Sequence, residues 1–336
     1  MIVIPVQTSI FHCSNTVSRA PKPIVIVGPT ASGKSNLAQT VAELTQGEVL
    51  SADSMQIYRG MDIGTGKVLT HEMRVPHHGL DLVDPGQPYS AALFQEYGRS
   101  ILDNAARQST RIIVCGGTGF YIRALLDDFD FPSGEQVDNP VRDAYNQKLK
   151  EFGPKAIWDE LNRVDPESAA VIHENDSKRV VRAFELLADG TSYSKQKEAF
   201  AHIPPLYPAV YFGLRVDPAV LNERIDKRVD SMVEQGLVDE VRSLLQKGFR
   251  NGLTAPQAIG YKEIVAYLDG DCSLEEAILQ IKIATHRYAK RQRTWFRKDS
   301  RIHWLDANEY DETLLASQIM RHLADEEEWE RGSSRL

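Results

Sequence analysis

The chain has 336 residues and a formal net charge of −8, long enough for one large α/β unit and a smaller one, each with ample core. That charge excludes a surface that is basic throughout, so any contact with nucleic acid has to come from a local patch. Three widely spaced cysteines, Cys13, Cys115 and Cys272, form no Cys-x-x-Cys pair; this argues against a disulfide framework or a cysteine zinc site and fits a reducing cytoplasm.

Residues 1–22 are rich in Ser and Thr, lack the charged start and long apolar core of a secretory signal, and read as a flexible leader. No run approaches the ~20 apolar residues that cross a bilayer, so no membrane contact is expected. Short apolar runs bounded by turn signals at Ile24–Val27, Glu48–Ser51, 111–115, 209–216 and 301–305 read as strands, with helical patterns between several of them. Such alternation predicts an α/β fold, a parallel sheet with crossover helices. A helix opening at Lys34 carries Leu37, Val41 and Leu44 on one face and stops at Gln46-Gly47. Residues 132–208 break the alternation with charged helical stretches at 139–152, 155–163, 168–172 and Ser177–Ala188. The expected organisation is a core in two parts, 23–131 and 209–310, with a helical insertion at 132–208. A C-terminal helix and acidic tail follow at 311–336.

Between the first strand and the first helix lies Gly28-Pro29-Thr30-Ala31-Ser32-Gly33-Lys34-Ser35, a complete phosphate-binding loop in its proper context. Its amides close around anionic oxygens, Lys34 adds a point charge, the Ser35 hydroxyl reaches a magnesium ion, and the helix N-terminus favours negative charge. Just past the second strand, Ser51-Ala52-Asp53-Ser54-Met55-Gln56 falls at the sheet edge where open α/β folds build ligand sites. Asp53 there either holds magnesium through water or removes a proton, or it merely caps the next turn.

The strand at 111–115 ends in Cys115-Gly116-Gly117-Thr118-Gly119-Phe120-Tyr121, where nucleotide hydrolases often carry a metal-ordering aspartate. Its absence counts against hydrolysis. The glycines allow close backbone approach, and Thr118 offers a hydroxyl to a phosphate or a base; the alternative is a turn chosen for its dihedrals. Arg224 and Arg228, four apart on a helical pattern, are candidates for a diphosphate clamp, with ion pairing to Glu223 or Asp226 as the alternative. Eight Lys or Arg against one acid, Asp299, between Lys282 and Arg301, interleaved with Tyr288, Trp295 and Phe296, form the basic patch that RNA would need. The competing picture is a solvated helix with Ile281, Ala284, Tyr288 and Trp295 inward. His77-His78 read as packing or turn residues, and Trp158 as core of the insertion.

Together these segments resemble the tRNA isopentenyltransferase family, the tRNA dimethylallyltransferases, of bacterial type because no C-terminal Cys/His zinc finger is seen. The resemblance is carried by the phosphate loop, by Ser51 to Gln56 running on through Met61-Asp62-Ile63-Gly64-Thr65, and by Pro76-His77-His78. Gly116 to Tyr121, Asn175-Asp176 with Arg179 and Arg182, Ala258-Ile259-Gly260-Tyr261-Lys262-Glu263 and Arg291-Gln292-Arg293-Thr294-Trp295-Phe296-Arg297 complete it.

The resemblance implies a P-loop NTPase-like core and transfer of a dimethylallyl group from its diphosphate to N6 of adenosine 37, just 3′ of the anticodon, in tRNAs reading codons that begin with U. It implies magnesium as cofactor, tRNA as partner, Asp53 as base and Thr118 as adenosine contact. Lys34, Arg228 and the loop amides would stabilise the leaving diphosphate, with Arg224 in support. Around a flipped base it implies contacts from Asp53, Ser54, Met55, Gln56, Arg142, Lys178, Arg179, Val180, Val181, Arg182, Gln257, Ala258, Ile259, Gly260, Tyr261 and Lys262. A cytoplasmic monomer is expected. An adenylate isopentenyltransferase, a small-molecule P-loop kinase and a non-catalytic RNA-binding protein are the competing readings.

Overall fold

The computed structural model describes residues 20–131 and 139–333; residues 1–19 of the expected leader, and the start of the expected insertion at 132–138, lie outside them. In chain order the core begins β1 (Ile24–Val27), α1 (Lys34–Thr45), β2 (Glu48–Ser51), β3 (His77–His78), α2 (Ala91–Gln108), β4 (Ile112–Gly116) and α3 (Gly119–Leu126). After the insertion come β5 (Val210–Arg215), α8 (Pro218–Glu234), α9 (Leu237–Gln246), α10 (Tyr261–Asp269), α11 (Leu274–Phe296), β6 (Ile302–Asp306) and α12 (Glu312–Ser333).

The six strands lie in the order β3-β2-β4-β1-β5-β6, and every neighbouring pair is parallel. All of β1 is buried: Ile24 and Ile26 enter the core on one face of the sheet, Val25 and Val27 the other. That two-sided burial is why the strand is a continuous apolar run rather than an alternating one. Because β4 lies between β1 and β2, the C-terminal ends of three strands meet at one edge, and a crevice opens there.

Five expected strands are present within a residue or two of their expected bounds. The sixth, β3, was not anticipated: two histidines are too short to show a period, yet they pair in register with Val49 and Leu50 of β2. In α1, Leu37 and Val41 are buried, but Leu44 in the last turn is 55% exposed. The inward face is completed instead by Ala38 and Ala42, whose small side chains sit close against the sheet. The acidic run from Asp325 to Glu328 belongs to α12 rather than to a tail beyond it.

The insertion contains α4 (Pro140–Val164), α5 (Pro166–Val171), α6 (Ser177–Ala188) and α7 (Tyr193–Ala201). α4 is broken at Gly153, with φ 80° and ψ 172°, directly before Pro154, so the two expected helices run on from each other across a kink. α7 was not anticipated; its sequence is polar, and its start is capped by Ser192, which accepts from the Lys195 amide. A core separate from the sheet, including Leu161, Ile172, Val180, Val181 and Phe184, holds these helices together. Trp158 packs on it and donates to the Ile172 carbonyl at 2.8 Å.

One carboxylate ties α4 to α6. Glu185, only 2% exposed, accepts from Arg142 at 2.6 and 3.1 Å and from Arg182 at 2.7 Å. Burial raises its pKa, but the hydrogen bonds from the two arginines outweigh burial and hold it below the usual value. Glu185 therefore stabilises the fold above the unfolded carboxylate pKa of about 4.3, and that contribution disappears as pH falls through the lowered folded value. Glu185→Ala, which removes the buried carboxylate that Arg142 and Arg182 share, is expected to destabilise the insertion by about 3 kcal/mol at pH 7. Urea unfolding followed at Trp158 measures it, and the difference from wild type should shrink in acid.

Candidate active site

The loop from Gly28 to Ser35 spans the end of β1 and the start of α1. Its tight path requires left-handed backbone at Ala31 (φ 62°) and Gly33 (φ 90°); a side chain at Gly33 would also run into the ring of Tyr310, whose hydroxyl donates to the Gly33 carbonyl at 2.9 Å. Inside the loop, the Ser32 hydroxyl is buried and has no partner among the described residues. Lys34 is half-buried; desolvation pulls its pKa below the ordinary lysine value, with the nearby Cys115 and Asp53 opposing the shift and Arg228 adding to it.

A residue that sequence reasoning did not single out organises the loop. Gln292 of α11 accepts from the Thr30 amide at 2.9 Å and donates to the Gly117 carbonyl at 3.0 Å. It is 4% exposed, and its side chain fills the space a Cβ on Gly117 would need. Likewise Gly116 lies against the Ala52 carbonyl and Gly119 against the indole of Trp295. None of the three has a positive φ, so close approach accounts for them and dihedral need does not. Trp295, turned inward in the competing picture of α11, is 44% exposed, because its indole lies across Gly119 at the surface.

Asp53 follows β2, and the turn cap expected of it is present. Its Oδ1 accepts from the Met55 amide at 2.9 Å, a turn cap, and the residue also lines the crevice with Lys34 and Arg228. Thr118, at the start of α3, accepts from the Ser54 amide at 3.2 Å and donates to the Ser54 hydroxyl at 3.3 Å, so the two loops are joined beside Asp53. Gln56 accepts from Ser51 at 2.8 Å and reaches the carbonyls of Thr65 and Gly66.

The structure separates the two arginines of α8. Arg228 donates to the Thr65 carbonyl at 3.1 Å and lines the crevice; burial lowers its pKa and Asp53 opposes that shift. Arg224 instead spends its guanidinium on the carbonyls of Ala307 and Asn308, at 2.9 and 2.6 Å, which removes it from the clamp. Neither forms the ion pair considered for it: Glu223 pairs with Lys227 and Asp226 with His286.

The crevice has three connected parts. A cavity of about 60 Å³ is lined by Thr30, Lys34, Ser35, Asp53, Gln56 and Arg228, among others. On one side it meets a cavity of about 270 Å³ lined by Asp53, Ser54, Met55, Gln257, Ala258, Ile259 and Gly260 with apolar residues of α8 and α11. On the other it meets an opening of about 320 Å³ at Lys34, Ser35 and Gly66. Arg228 borders all three.

A second unanticipated residue, Glu240 of α9, fixes the loop that Arg228 leans on. Its carboxylate accepts from the amides of Asp62, Ile63 and Gly64, at 2.8 to 3.2 Å, and from the Tyr261 hydroxyl at 2.6 Å. Tyr261 is therefore fully buried and cannot itself meet a ligand, whereas Lys262 beside it is exposed.

On the insertion, Lys178 and Arg179 are exposed, and Arg179 pairs with Asp176 at 2.5 Å. Val180 and Val181 are in the core, at 0 and 5% exposure, because the helical period turns them away from the face that Lys178 and Arg179 share. They are corrected from contacts to packing residues. Arg142 and Arg182 are engaged by Glu185 as described above.

The chain matches the family model described as "IPP transferase" over residues 56–299 and that described as "Isopentenyl transferase" over residues 22–77. It is 47% identical over 301 residues to the tRNA dimethylallyltransferase of Carboxydothermus hydrogenoformans, covering 89% of this chain and 96% of that one. Against the crystal structure of the tRNA isopentenylpyrophosphate transferase of Bacillus halodurans the TM-score is 0.68 at 38% identity, covering 92% of this chain and 99% of that one. Against a eukaryotic dimethylallyltransferase, described as acting on tRNA, the TM-score is 0.71 at 31% identity, covering 86% and 74%. The fold is thus shared with solved relatives, and the chain belongs to the IPP transferase family.

Proposed function

We propose that this protein transfers a dimethylallyl group from dimethylallyl diphosphate to N6 of adenosine 37 in tRNA, releasing diphosphate. The observation that carries this reading is the meeting of two half-buried cations, Lys34 and Arg228, with one carboxylate, Asp53, in a single crevice at a phosphate loop. The cations and loop amides suit a diphosphate leaving group, and the carboxylate suits an acceptor that must lose a proton.

Adenine N6 is a weak nucleophile because its lone pair is delocalised into the ring. As N6 attacks C1 of the allyl group, the C1–O bond breaks, its electron pair leaves on the diphosphate, and a proton passes from N6 to Asp53. Lys34, Arg228 and the loop amides meet the charge that develops on the departing oxygen. The Thr118 hydroxyl, held beside Ser54, orients the adenine. The partnerless Ser32 hydroxyl and the Ser35 hydroxyl in the crevice fit a diphosphate with magnesium; Ser35 would hold the ion, which would supply further charge neutralisation to the leaving group.

The target base reaches Asp53 only when flipped out of the anticodon loop, which costs less there than in a duplex. The 270 Å³ cavity at Gln257 to Gly260 suits it. The exposed cations of α11, among them Arg287, Lys290 and Arg291, suit the loop backbone, and the insertion with Lys178 and Arg179 suits the anticodon stem. The protein would work as a cytoplasmic monomer on tRNAs that read codons beginning with U.

With labelled dimethylallyl diphosphate, label is expected in tRNA carrying adenosine 37 and absent when guanosine replaces it; label in free AMP but not in tRNA would overturn the reading. Asp53→Asn keeps an oxygen for the Met55 amide but loses the base, so kcat should fall by about 10²- to 10⁴-fold while tRNA affinity stays within about threefold. An equal loss of both would make Asp53 a binding residue. Chelation with EDTA should abolish transfer, and added magnesium should restore it.

A further inference from the structure

The 60 Å³ and 270 Å³ cavities share Thr30, Asp53, Thr65, Arg228 and Tyr288, so a group passed from one to the other crosses at that boundary. Resting on the function proposed above, the diphosphate lies at the phosphate loop, and the adenine lies beside Asp53 and the Ser54–Thr118 pair. Transfer then depends on the spacing of two loops that are far apart in the chain. Thr30 belongs to the first, and Gly117 and Thr118 to the second. Beyond the paired strand ends at Val27 and Gly116, one side chain spans them: Gln292 of α11.

The span admits one arrangement. An amide N–H can only donate and a carbonyl can only accept, so the bonds to Thr30 at 2.9 Å and to Gly117 at 3.0 Å fix which end of the carboxamide faces which loop. The side chain is buried, and a Cβ on Gly117 would come 2.1 Å from its Nε2, which leaves it no slack on that side. One turn earlier on the same helix, Tyr288 stands on the boundary itself. A shift of Gln292 would therefore move Thr30 against Gly117 while leaving Lys34, Asp53 and Arg228 in the crevice.

We infer that Gln292 is a positioning residue for the transfer, setting the distance between C1 of the donor and N6 of the acceptor through its bonds to Thr30 and Gly117. Reactants misplaced by about 1 Å lose on the order of 10²-fold in rate even when both still bind. The loss of this carboxamide therefore belongs in kcat and not in the affinity for either substrate.

Two variants test this with dimethylallyl diphosphate and tRNA. Gln292→Met, of equal length but without either hydrogen bond, should lower kcat about 10²-fold at every pH, with the donor KM and the tRNA Kd within about threefold of wild type. In Gln292→Glu the carboxylate accepts from Thr30 but has no proton for the Gly117 carbonyl, whereas the neutral acid has both a donor and an acceptor. Burial and the facing carbonyl favour that neutral form, so the ratio of its kcat to that of wild type should rise at least about tenfold from about pH 9 to about pH 6. Taking the ratio cancels the titration of Asp53, which both proteins share. Should Gln292→Met not fold, Gly117→Ala, which displaces the carboxamide with Gln292 still present, should give the same fall in kcat. A kcat within about threefold of wild type in these variants, losses of substrate affinity equal to the loss of kcat, or a Gln292→Glu ratio that does not rise in acid would each overturn the inference. A wild type that labels AMP and not tRNA would instead overturn the proposed function, and the same kcat ratios measured on AMP would still decide the role of Gln292.

Discussion

Register between β1 and β4, with Val27 opposite Gly116, brings two loops to adjacent strand ends, and both are then bound to one carboxamide. Gln292 takes the Thr30 amide with its oxygen and the Gly117 carbonyl with its nitrogen, so the spacing between phosphate loop and Thr118 loop is set by the position of α11. A buried amide lost from this place would leave a donor and an acceptor unsatisfied at once. The outer face of the same helix carries the exposed cations of the basic patch. Two requirements of the proposed reaction, a placed leaving group and a placed acceptor, therefore share one rigid element.

Around that element the charges are unbalanced in a telling direction. Lys34 and Arg228 are both half-buried, and their pKa values are drawn down by burial, with a single nearby carboxylate in partial compensation. Such a crevice favours an additional anion, since attraction is stronger where water is excluded. Loops of this sequence commonly hold nucleoside triphosphates, but here β4 ends in a neutral thiol and glycine where hydrolases often place a metal-ordering acid. The electrostatics thus suit holding and releasing a diphosphate better than activating water.

Local features were legible in the sequence. The phosphate loop, five of the six strands, the α6 bounds and the break between two helical stretches at Gly153-Pro154 all follow from composition and spacing over a few residues. What escaped depends on distance along the chain. Gln292 and Glu240 make their decisive bonds to residues more than 170 positions away; Glu240 has no local signature, and the segment that contains Gln292 does not show which of its members turns inward. Helical spacing placed Arg224 and Arg228 on one face, yet the 307–308 carbonyls, arriving from the far end of the chain, capture only the first. A contiguous motif also hides which face each member occupies: Val180, Val181 and Tyr261 sit within functional segments but are turned inward as their support.

Tyr310 and Gln292 have a consequence for the order in which the molecule is made. The phosphate loop lies near the start of the described residues, yet its Thr30 amide is met by Gln292, and its Gly33 carbonyl is met by Tyr310 as well as by the Leu37 amide, so two braces come from the last fifty or so residues. A chain truncated before Gln292 would hold the whole motif without these braces. The proposed donor site would then gain them only once α11 and the segment carrying Tyr310 have docked.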